Sequence, residues 1–356
     1  MLNVKKYIKL IPRLVGLFVL FLIVLEIAAR TDDYFTWDAP FFEDYTQERL
    51  GVTDSLGFHN KPNSRYEKWK INNYGYRGED ITREKPAGII RILVVGASES
   101  FGLYESKNME YPAQLQTILD SAQPGRYQVL NAASPGMSPP RITDYFDRYL
   151  KTFAPDIVVY YPSPIFYLEE TAPKTNITIT PYEPPKYKLS SRMLAKAKLV
   201  FKRILPDLWQ TWMKQRIIDR EIQSIPKDAI FEHPPEDHIC LMYEHISDLV
   251  KTVQAYGARM ILMTHGSLVS ENMPEEYKQY LTGWRKIYSH VTENCFIEME
   301  ATSDSIVSQI GKEYNLELID IASVIPKTTE YFADHVHFTD LGAEIMARSI
   351  ANEILH

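Results

Sequence analysis

The sequence predicts an α/β protein built on a central parallel sheet of about five strands. Five short apolar runs, rich in β-branched residues, recur along the chain at residues 92–95, 127–130, 156–161, 260–264 and 316–319. Helical stretches separate these runs, and most of the runs are apolar on both faces. Strands of this kind, alternating with helices, form parallel sheets covered on both sides. Ligands of such sheets bind beyond the carboxyl ends of the strands, which is where functional residues are expected.

The helices between these strands follow from their apolar periodicity. The first is YPAQLQTILDSAQ (111–123), after the first strand, and the second is PPRITDYFDRYLKTF (139–153). Residues 237–256 form the helix before the fourth strand, and residues 339–355 form the helix that ends the chain. Thr339 and Asp340 suit the N-terminus of this last helix, the first as a capping residue and the second by its charge.

The N-terminus carries an apolar segment, LVGLFVLFLIVLEIAA (14–29), preceded by Lys5, Lys6, Lys9 and Arg13. Aspartates and aromatic residues follow it, so the charge bias predicts a cytosolic N-terminus and an exterior main body. Sixteen residues are short for a span of about 20. Residues 7–12 can extend the helix, and Glu26 can reach the outer interface. A cleaved signal peptide is the main alternative, although no small-x-small cleavage site is evident.

Composition narrows the classes of function. The 356 residues carry a formal net charge of −7, with 45% hydrophobic residues. This acidic balance argues against a nucleic-acid partner, and the mean hydropathy of −0.25 excludes a polytopic membrane protein. We predict an anchor over residues 1–30, an extended lead-in over 31–88, and one main α/β domain over 89–356, with the insertion inside it.

An insertion of about seventy residues, at about 165–235, separates the third and fourth strands. It opens with a Pro-rich stretch (172–188) and continues into a basic helical segment with two tryptophans. Its basic residues are Lys186, Lys188, Arg192, Lys196, Lys198, Lys202, Arg203, Lys214, Arg216 and Arg220. Two interpretations remain open: a solvated helical cap over the active-site mouth, or a basic amphipathic element that binds anionic lipid or an acidic polymer.

Two blocks indicate nucleophilic catalysis. Gly96-Ala97-Ser98 follows the first strand and places a hydroxyl at the carboxyl edge of the sheet. A serine needs a base to attack an ester at neutral pH, and an imidazole needs an acceptor on its second nitrogen. Asp334-His335-Val336-His337 supplies both, with His337 as base and Asp334 as its orienting acid, whereas His335 is a poorer candidate. Taken separately, each block also fits an ordinary capped turn.

Together these blocks resemble the SGNH (GDSL-like) hydrolases, in particular membrane-anchored bacterial members. The matching pieces are ILVVGASESFG, VLNAASPG, PDIVVYY and DHVHFTDLGAEIMA, with NNYGYRGED as a family-like lead-in. The resemblance implies a flavodoxin-like three-layer α/β/α fold and a triad of Ser98, Asp334 and His337. It also implies the backbone amides of Ser98 and Gly136 as oxyanion donors, and no cofactor or metal.

Two departures from the family pattern matter. Ala97 stands where the family usually has Asp, and Pro162-Ser163-Pro164 replaces the block that normally supplies an Asn as third oxyanion donor. Losing one such donor typically costs about 10² to 10³ in rate, and Ser163 is the candidate substitute. His265, in the turn after the fourth strand, is also expected on the crevice side. We expect it to be a structural residue of its loop rather than a functional one.

The sequence thus predicts a serine esterase or deacylase that acts on an acyl ester, acetyl included, outside the cytoplasmic membrane. An O-acyltransferase for a surface polysaccharide and a catalytically weak glycan-binding scaffold are the alternatives. The acyl-ester partner is then a lipid or an acylated glycan. Cys240 and Cys295 allow a disulfide but do not indicate one, and neither lies in a metal-binding motif.

Overall fold

The computed structural model describes residues 4–43, 45–169, 190–205 and 207–356. The Pro-rich opening of the insertion (172–188), with Lys186 and Lys188, lies outside the described residues, as do the side chains of Lys202 and Arg203.

The sheet at the centre of the fold has five parallel strands, as the sequence predicts. They are β5 (Ile90–Val95), β6 (Tyr127–Asn131), β7 (Ile157–Tyr160), β8 (Arg259–Met263) and β9 (Glu317–Ile319). Their order in the sheet is β6-β5-β7-β8-β9, with β5 between β6 and β7. The strand bounds differ from the prediction by one or two residues, because the apolar runs are slightly longer or shorter than the hydrogen-bonded ladder.

Helices cover both faces of this sheet. The remaining elements of the domain are α2 (Ser98–Phe101), α3 (Tyr111–Ala122), α4 (Pro139–Arg148), α7 (Glu236–Tyr256), α8 (Lys278–Arg285), α9 (Glu293–Glu313), α10 (Ile321–Val324) and α11 (Asp340–Leu355). Alternate residues of β5 show the two layers: Ile92 and Val94 pack with α3 and α11, whereas Leu93 and Val95 pack with α4, α7 and α9. The predicted three-layer α/β/α fold is therefore confirmed.

The lead-in between residues 31 and 88 is not the extended segment that its turn-forming residues predict. Helix α1 (Val4–Trp37) runs into it, and two antiparallel hairpins follow, β1 (Gly51–Asp54) with β2 (Gly57–Asn60) and β3 (Arg65–Tyr66) with β4 (Trp69–Lys70). These strands are only two to four residues long, so their alternation is too brief to recognise in the sequence. The second hairpin packs on the domain, where Trp69 and Ile71 share a buried cluster with Phe101.

Helix α1 contains a stretch, Ile11–Trp37, that is long and apolar enough to cross a membrane, and its apolar side chains are exposed. By length, composition and position it suits a membrane anchor or a signal sequence equally. It extends further than the predicted 14–29, because the helix continues through the charged residues that follow the apolar run.

The described part of the insertion forms two helices, α5 (Arg192–Ile204) and α6 (Asp207–Ser224). Helix α5 packs against α1, and α6 packs against α8, with Ile218 fully buried. The two cysteines do not pair: Cys240 is exposed and Cys295 is buried. Burial raises the pKa of the Cys295 thiol to about 12.

Candidate active site

Ser98 is the first residue of α2, a single helical turn that begins three residues after β5 ends. The turn between them is tight, since a Cβ at Gly96 would collide with the Ser100 hydroxyl. Gly102 caps the carboxyl end of α2, and its φ of +87° lies in the left-handed region that glycine tolerates. The local sequence therefore holds the Ser98 side chain at the carboxyl edge of the sheet.

The structure brings Ser98, His337 and Asp334 together in one hydrogen-bonded row. Ser98 Oγ lies 2.9 Å from His337 Nε2, and His337 Nδ1 donates to Asp334 Oδ2 at 2.8 Å. Ser98 and His337 are 239 residues apart in the sequence, one at the start of α2 and the other in the turn before α11. A base within hydrogen-bond reach of a hydroxyl, oriented by a third group, is the arrangement that nucleophilic catalysis requires.

The turn that carries the histidine is organised by Asp334 itself. Asp334 Oδ1 accepts the backbone N–H groups of Val336 at 3.0 Å and His337 at 2.9 Å. Burial alone would raise the pKa of this carboxyl, but hydrogen bonding and charge from His337 outweigh burial and lower its pKa to about 2. Conversely, burial would lower the pKa of His337, but the hydrogen bond to Asp334 and the negative charge of Asp334 outweigh burial and raise this pKa above its ordinary value. The pair thus favours an ionised acid beside an imidazole that readily accepts a proton.

Aromatic rings contact both histidines of this turn, and they orient the His337 imidazole while they bury His335. Trp284 stacks on the His337 ring with centroids 6.1 Å apart, and Tyr104 lies 5.2 Å from it. His335 is buried edge-on against Trp284 at 4.9 Å, and burial lowers its pKa to about 4. His335 is therefore a neutral packing residue, while its neighbour His337 reaches the serine.

Glu99 is a site residue that sequence reasoning missed. It is 2% exposed, and its Oε2 accepts a hydrogen bond from Ser98 Oγ at 3.1 Å. Burial would raise the pKa of this carboxyl, but the adjacent His265 ring and the charge of His337 lower its pKa to about 2. Because Ser98 has one hydroxyl proton, Glu99 competes with His337 as its acceptor.

His265 extends this buried ionic row behind Glu99. Its Nε2 lies 3.7 Å from Glu99 Oε1, its Nδ1 lies 2.5 Å from Glu300 Oε2, and its backbone N–H donates to Asp304 at 2.7 Å. Burial would lower the pKa of the ring, but Glu300 and Glu99 raise it to about 10. His265 thus lies buried between two carboxylates in the loop after β8, and its raised pKa favours the charged imidazolium.

The candidate oxyanion donors lie in neighbouring loops of the same edge. Among the described residues, neither the Ser98 nor the Gly136 N–H donates a hydrogen bond, and Gly136 has a φ of +77°. The loops that carry them are joined by a bond from Ser134 N–H to the Gly96 carbonyl at 3.3 Å. Ser163 differs, because its hydroxyl donates to Glu99 Oε1 at 2.7 Å. A role for Ser163 as oxyanion donor would require that proton to leave Glu99.

The lead-in supports both loops from outside. Asn60 donates to the Ala133 carbonyl at 2.9 Å, and its own Oδ1 accepts the Ser134 hydroxyl at 3.0 Å. Trp69 Nε1 donates to the carbonyl of Gly102, at the end of α2, at 3.1 Å. Each contact holds a strand-end loop that carries a candidate catalytic group.

A buried ion pair supports the same end of α2. Arg77, from the NNYGYRGED segment, donates to the Phe101 and Gly102 carbonyls and pairs with Glu110 at 2.7 Å. Both charged side chains are nearly inaccessible to solvent. Basic side chains at the carboxyl end of a helix complement its exposed carbonyls, so Arg77 stabilises the turn that presents Ser98.

An apolar cavity of about 330 Å³ lies between the lead-in and these loops. Its lining residues are Gln47, Leu50, Gly51, Phe58, Asn60, Phe101 and Pro135. Phe101 belongs to the same helical turn as Ser98, and Pro135 directly precedes Gly136. A larger cavity, of about 940 Å³, lies beside β9, and neither cavity is lined by Ser98, Asp334 or His337. Among the described residues, no group of three His, Cys, Asp or Glu side chains is placed to hold a metal ion.

No family model and no curated protein matches this chain. Similar solved structures include a lipase/acylhydrolase from Enterococcus faecalis, at 14% identity and a TM-score of 0.45, covering 75% of this chain and 95% of that one. An acetyl xylan esterase from Geobacillus stearothermophilus is 13% identical with a TM-score of 0.44, covering 77% of this chain and 97% of that one. A psychrotrophic esterase from Pseudoalteromonas is 14% identical with a TM-score of 0.41, covering 74% and 96%.

Proposed function

We propose that this protein is a serine esterase or deacylase that forms an acyl-Ser98 intermediate. The observation that carries the proposal is the hydrogen-bonded row from Ser98 Oγ through His337 to Asp334, with separations of 2.9 and 2.8 Å. Buried loop histidines and acids that served only as helix caps would have no reason to converge on a serine at a strand end. The same row favours catalysis over a glycan-binding scaffold.

The residues divide the chemistry as follows. His337 Nε2 removes the hydroxyl proton as Ser98 Oγ bonds to the ester carbonyl carbon, and the charged imidazole then protonates the leaving alkoxide. Asp334 keeps the proton on Nδ1 and stabilises the imidazolium. The N–H groups of Ser98 and Gly136 are the donors proposed for the oxyanion. Water, activated by the same histidine, then cleaves the acyl-serine ester.

The apolar cavity is the proposed position of the apolar part of the substrate. Two of its lining residues adjoin the proposed catalytic groups. Phe101 is three residues after Ser98, and Pro135 directly precedes Gly136. A cavity of this size and lining takes an acyl chain or another apolar group.

The proposed location is the outer side of a cytoplasmic membrane, with α1 retained as a single span. Basic residues precede the apolar part of α1, and Asp32 and Asp33 follow it. This asymmetry supports a cytosolic N-terminus. The substrate would then be an acylated lipid or glycan of the cell envelope.

The test is hydrolysis of a short-chain acyl ester by the purified full-length protein. We expect Ser98→Ala to abolish turnover and to prevent labelling by a fluorophosphonate probe. Ser100→Ala is the matched control: Ser100 lies two residues further along α2 and is buried against Tyr111, whose hydroxyl donates to Ser100 Oγ at 2.8 Å. Ser100→Ala should keep both turnover and labelling. Undiminished turnover by Ser98→Ala would remove Ser98 from the mechanism.

A further inference from the structure

Helix α5 has an apolar face that the rest of the protein leaves exposed. Five apolar residues of α5 are more than half exposed, and four of them share one side of the helix: Leu194 (52%), Val200 (54%), Phe201 (60%) and Ile204 (73%). The fifth, Leu199 (58%), lies on the other side. Ala197 lies among them and is exposed too. An isolated exposed side chain needs no explanation, but a continuous apolar stripe along one helix marks a contact surface.

The beginning of α5 is fixed to α1 by Glu26. This carboxylate lies in the apolar part of α1, and it accepts the Ser191 hydroxyl at 2.8 Å and the backbone N–H groups of Arg192 at 3.2 Å and Met193 at 3.1 Å. It also accepts Arg30 Nε at 2.8 Å. Glu26 therefore does not simply extend to the interface, as its position in the sequence suggests, but caps the N-terminus of a second helix.

Ion pairs continue this contact to the polar end of α1. Lys196 lies 2.6 Å from Asp32 and 2.7 Å from Asp33, and Arg192 lies 3.8 Å from Asp33. The first turns of α5 thus lie beside residues 26–33 of α1. In this part of α1 the apolar residues give way to charged ones and to the exposed aromatic rings of Tyr34 and Phe35.

We propose that the apolar face of α5 lies in the surface of the same lipid bilayer that α1 crosses. A bilayer around α1 has its headgroup region where apolar side chains give way to charges and aromatic rings, and α5 is bonded to α1 at that depth. The start of α6 is similarly suited to a membrane surface, since Trp209 and Trp212 are exposed and the Arg216 guanidinium lies over the Trp212 ring. A helix with an apolar face, basic residues and flanking tryptophans is typical of an interfacial helix.

This surface is connected to the active site by a continuous row of contacts. The Arg192 guanidinium lies 5.0 Å from the centroid of the Tyr45 ring, and Tyr45 lies 4.9 Å from Tyr66. Tyr66 stacks on Trp69 at 5.9 Å, and Trp69 lies 6.1 Å from Phe101 in the turn that carries Ser98. A bilayer-bound α5 would therefore hold the active site at a set height above the membrane, where acyl esters of lipids or lipid-linked glycans are presented.

The test uses the full chain in nanodiscs of phosphatidylcholine and phosphatidylglycerol. Nitroxide labels are attached to single cysteines in a Cys240→Ser background, which removes the exposed thiol. Ala197→Cys reports the apolar face. Ala195→Cys is its matched control, because both alanines are exposed and two residues apart, so that they point to roughly opposite sides of the helix. Collision of each label with oxygen, which enters lipid, and with an aqueous nickel chelate gives a depth parameter.

We expect a positive depth parameter at residue 197 and a negative one at residue 195. Aqueous exposure of both labels would overturn the proposal, and so would protection of the 197 label from both reagents, which would mean a protein partner or a bound polymer. The proposal rests on the anchoring role proposed for α1, so Leu20→Cys is measured separately. A label at residue 20 that does not contact lipid would refute the anchor itself, whereas a lipid-exposed residue 20 with an aqueous residue 197 refutes only the inference about α5.

Discussion

Replacing Glu99 with Gln tests how the buried carboxylate acts on the catalytic base. Gln keeps the size of the side chain and removes its negative charge. Glu99 is one of the groups that raise the pKa of His337, and it accepts a hydrogen bond from the nucleophile. The substitution should therefore lower the pKa of His337, so that the neutral, active imidazole persists to lower pH.

The size of the effect follows from the geometry. Ser98 Oγ lies 2.9 Å from His337 Nε2 and 3.1 Å from Glu99 Oε2, so the two charged groups approach within about 6 Å. Two unit charges at that separation interact by about 3 kcal/mol at an effective dielectric constant of about 20, which corresponds to about two pKa units. His265 neutralises part of the Glu99 charge, 3.7 Å from its Oε1. The expected shift is about one pH unit.

The assay is kcat/KM for a short-chain ester as a function of pH. The acidic limb of the profile should move to lower pH in Glu99→Gln. Glu344→Gln is the matched control, because Glu344 pairs with Arg348 along α11 and is not among the groups that chiefly raise the pKa of His337; its acidic limb should not move. An acidic limb that stays in place or moves upward in Glu99→Gln would refute the electrostatic role.

The remaining predictions concern the triad and the buried ion pair. Asp334→Asn should lower kcat by about 10⁴ without unfolding the protein, because an amide no longer holds the Nδ1 proton of His337; near-normal turnover would exclude Asp334 from the triad. Asp334 should account for about 2 kcal/mol of the stability that the protein loses as pH falls from about 4 to 2, since its folded pKa is about 2 against an ordinary 3.8. The free energy of unfolding, measured as a function of pH, should fall toward acidic pH, and this loss should be smaller in Asp334→Asn. Arg77→Met should cost about 3–5 kcal/mol in the free energy of unfolding, because Glu110 stays buried without its partner. Adding Glu110→Gln should recover part of that loss in chemical denaturation, and a double variant as unstable as Arg77→Met would contradict the ion-pair explanation.

The sheet and the Ser-His-Asp row are predictable from sequence because each depends on local pattern. Strands buried on both faces produce apolar runs, and an Asp three residues before a His can bond it within one turn, as Asp334 and His337 do. Thr339 likewise caps the last helix, where its side chain accepts the Gly342 N–H. In these cases the chemical partners are close in sequence or lie at strand ends whose position the fold class defines.

The features that sequence reasoning missed depend on partners far apart in the chain. In the sequence, Glu99 looks like an ordinary turn residue. Its role becomes evident only from its contacts with Ser163 and His265, which follow other strands of the sheet. The sequence of α1 gives no sign that Glu26 caps the helix that begins at Arg192, 166 residues later. Long-range pairs of this kind produce no periodicity.

The central claim is that Ser98 carries the acyl group during turnover. The most direct measurement is mass spectrometry of the full-length protein, quenched with acid during hydrolysis of an activated acetyl ester and digested to peptides. We expect one acetyl group on the peptide that contains Ser98, and its absence in Ser98→Ala. Continued hydrolysis in Ser98→Ala, or an acetyl group confined to another residue, would contradict the account.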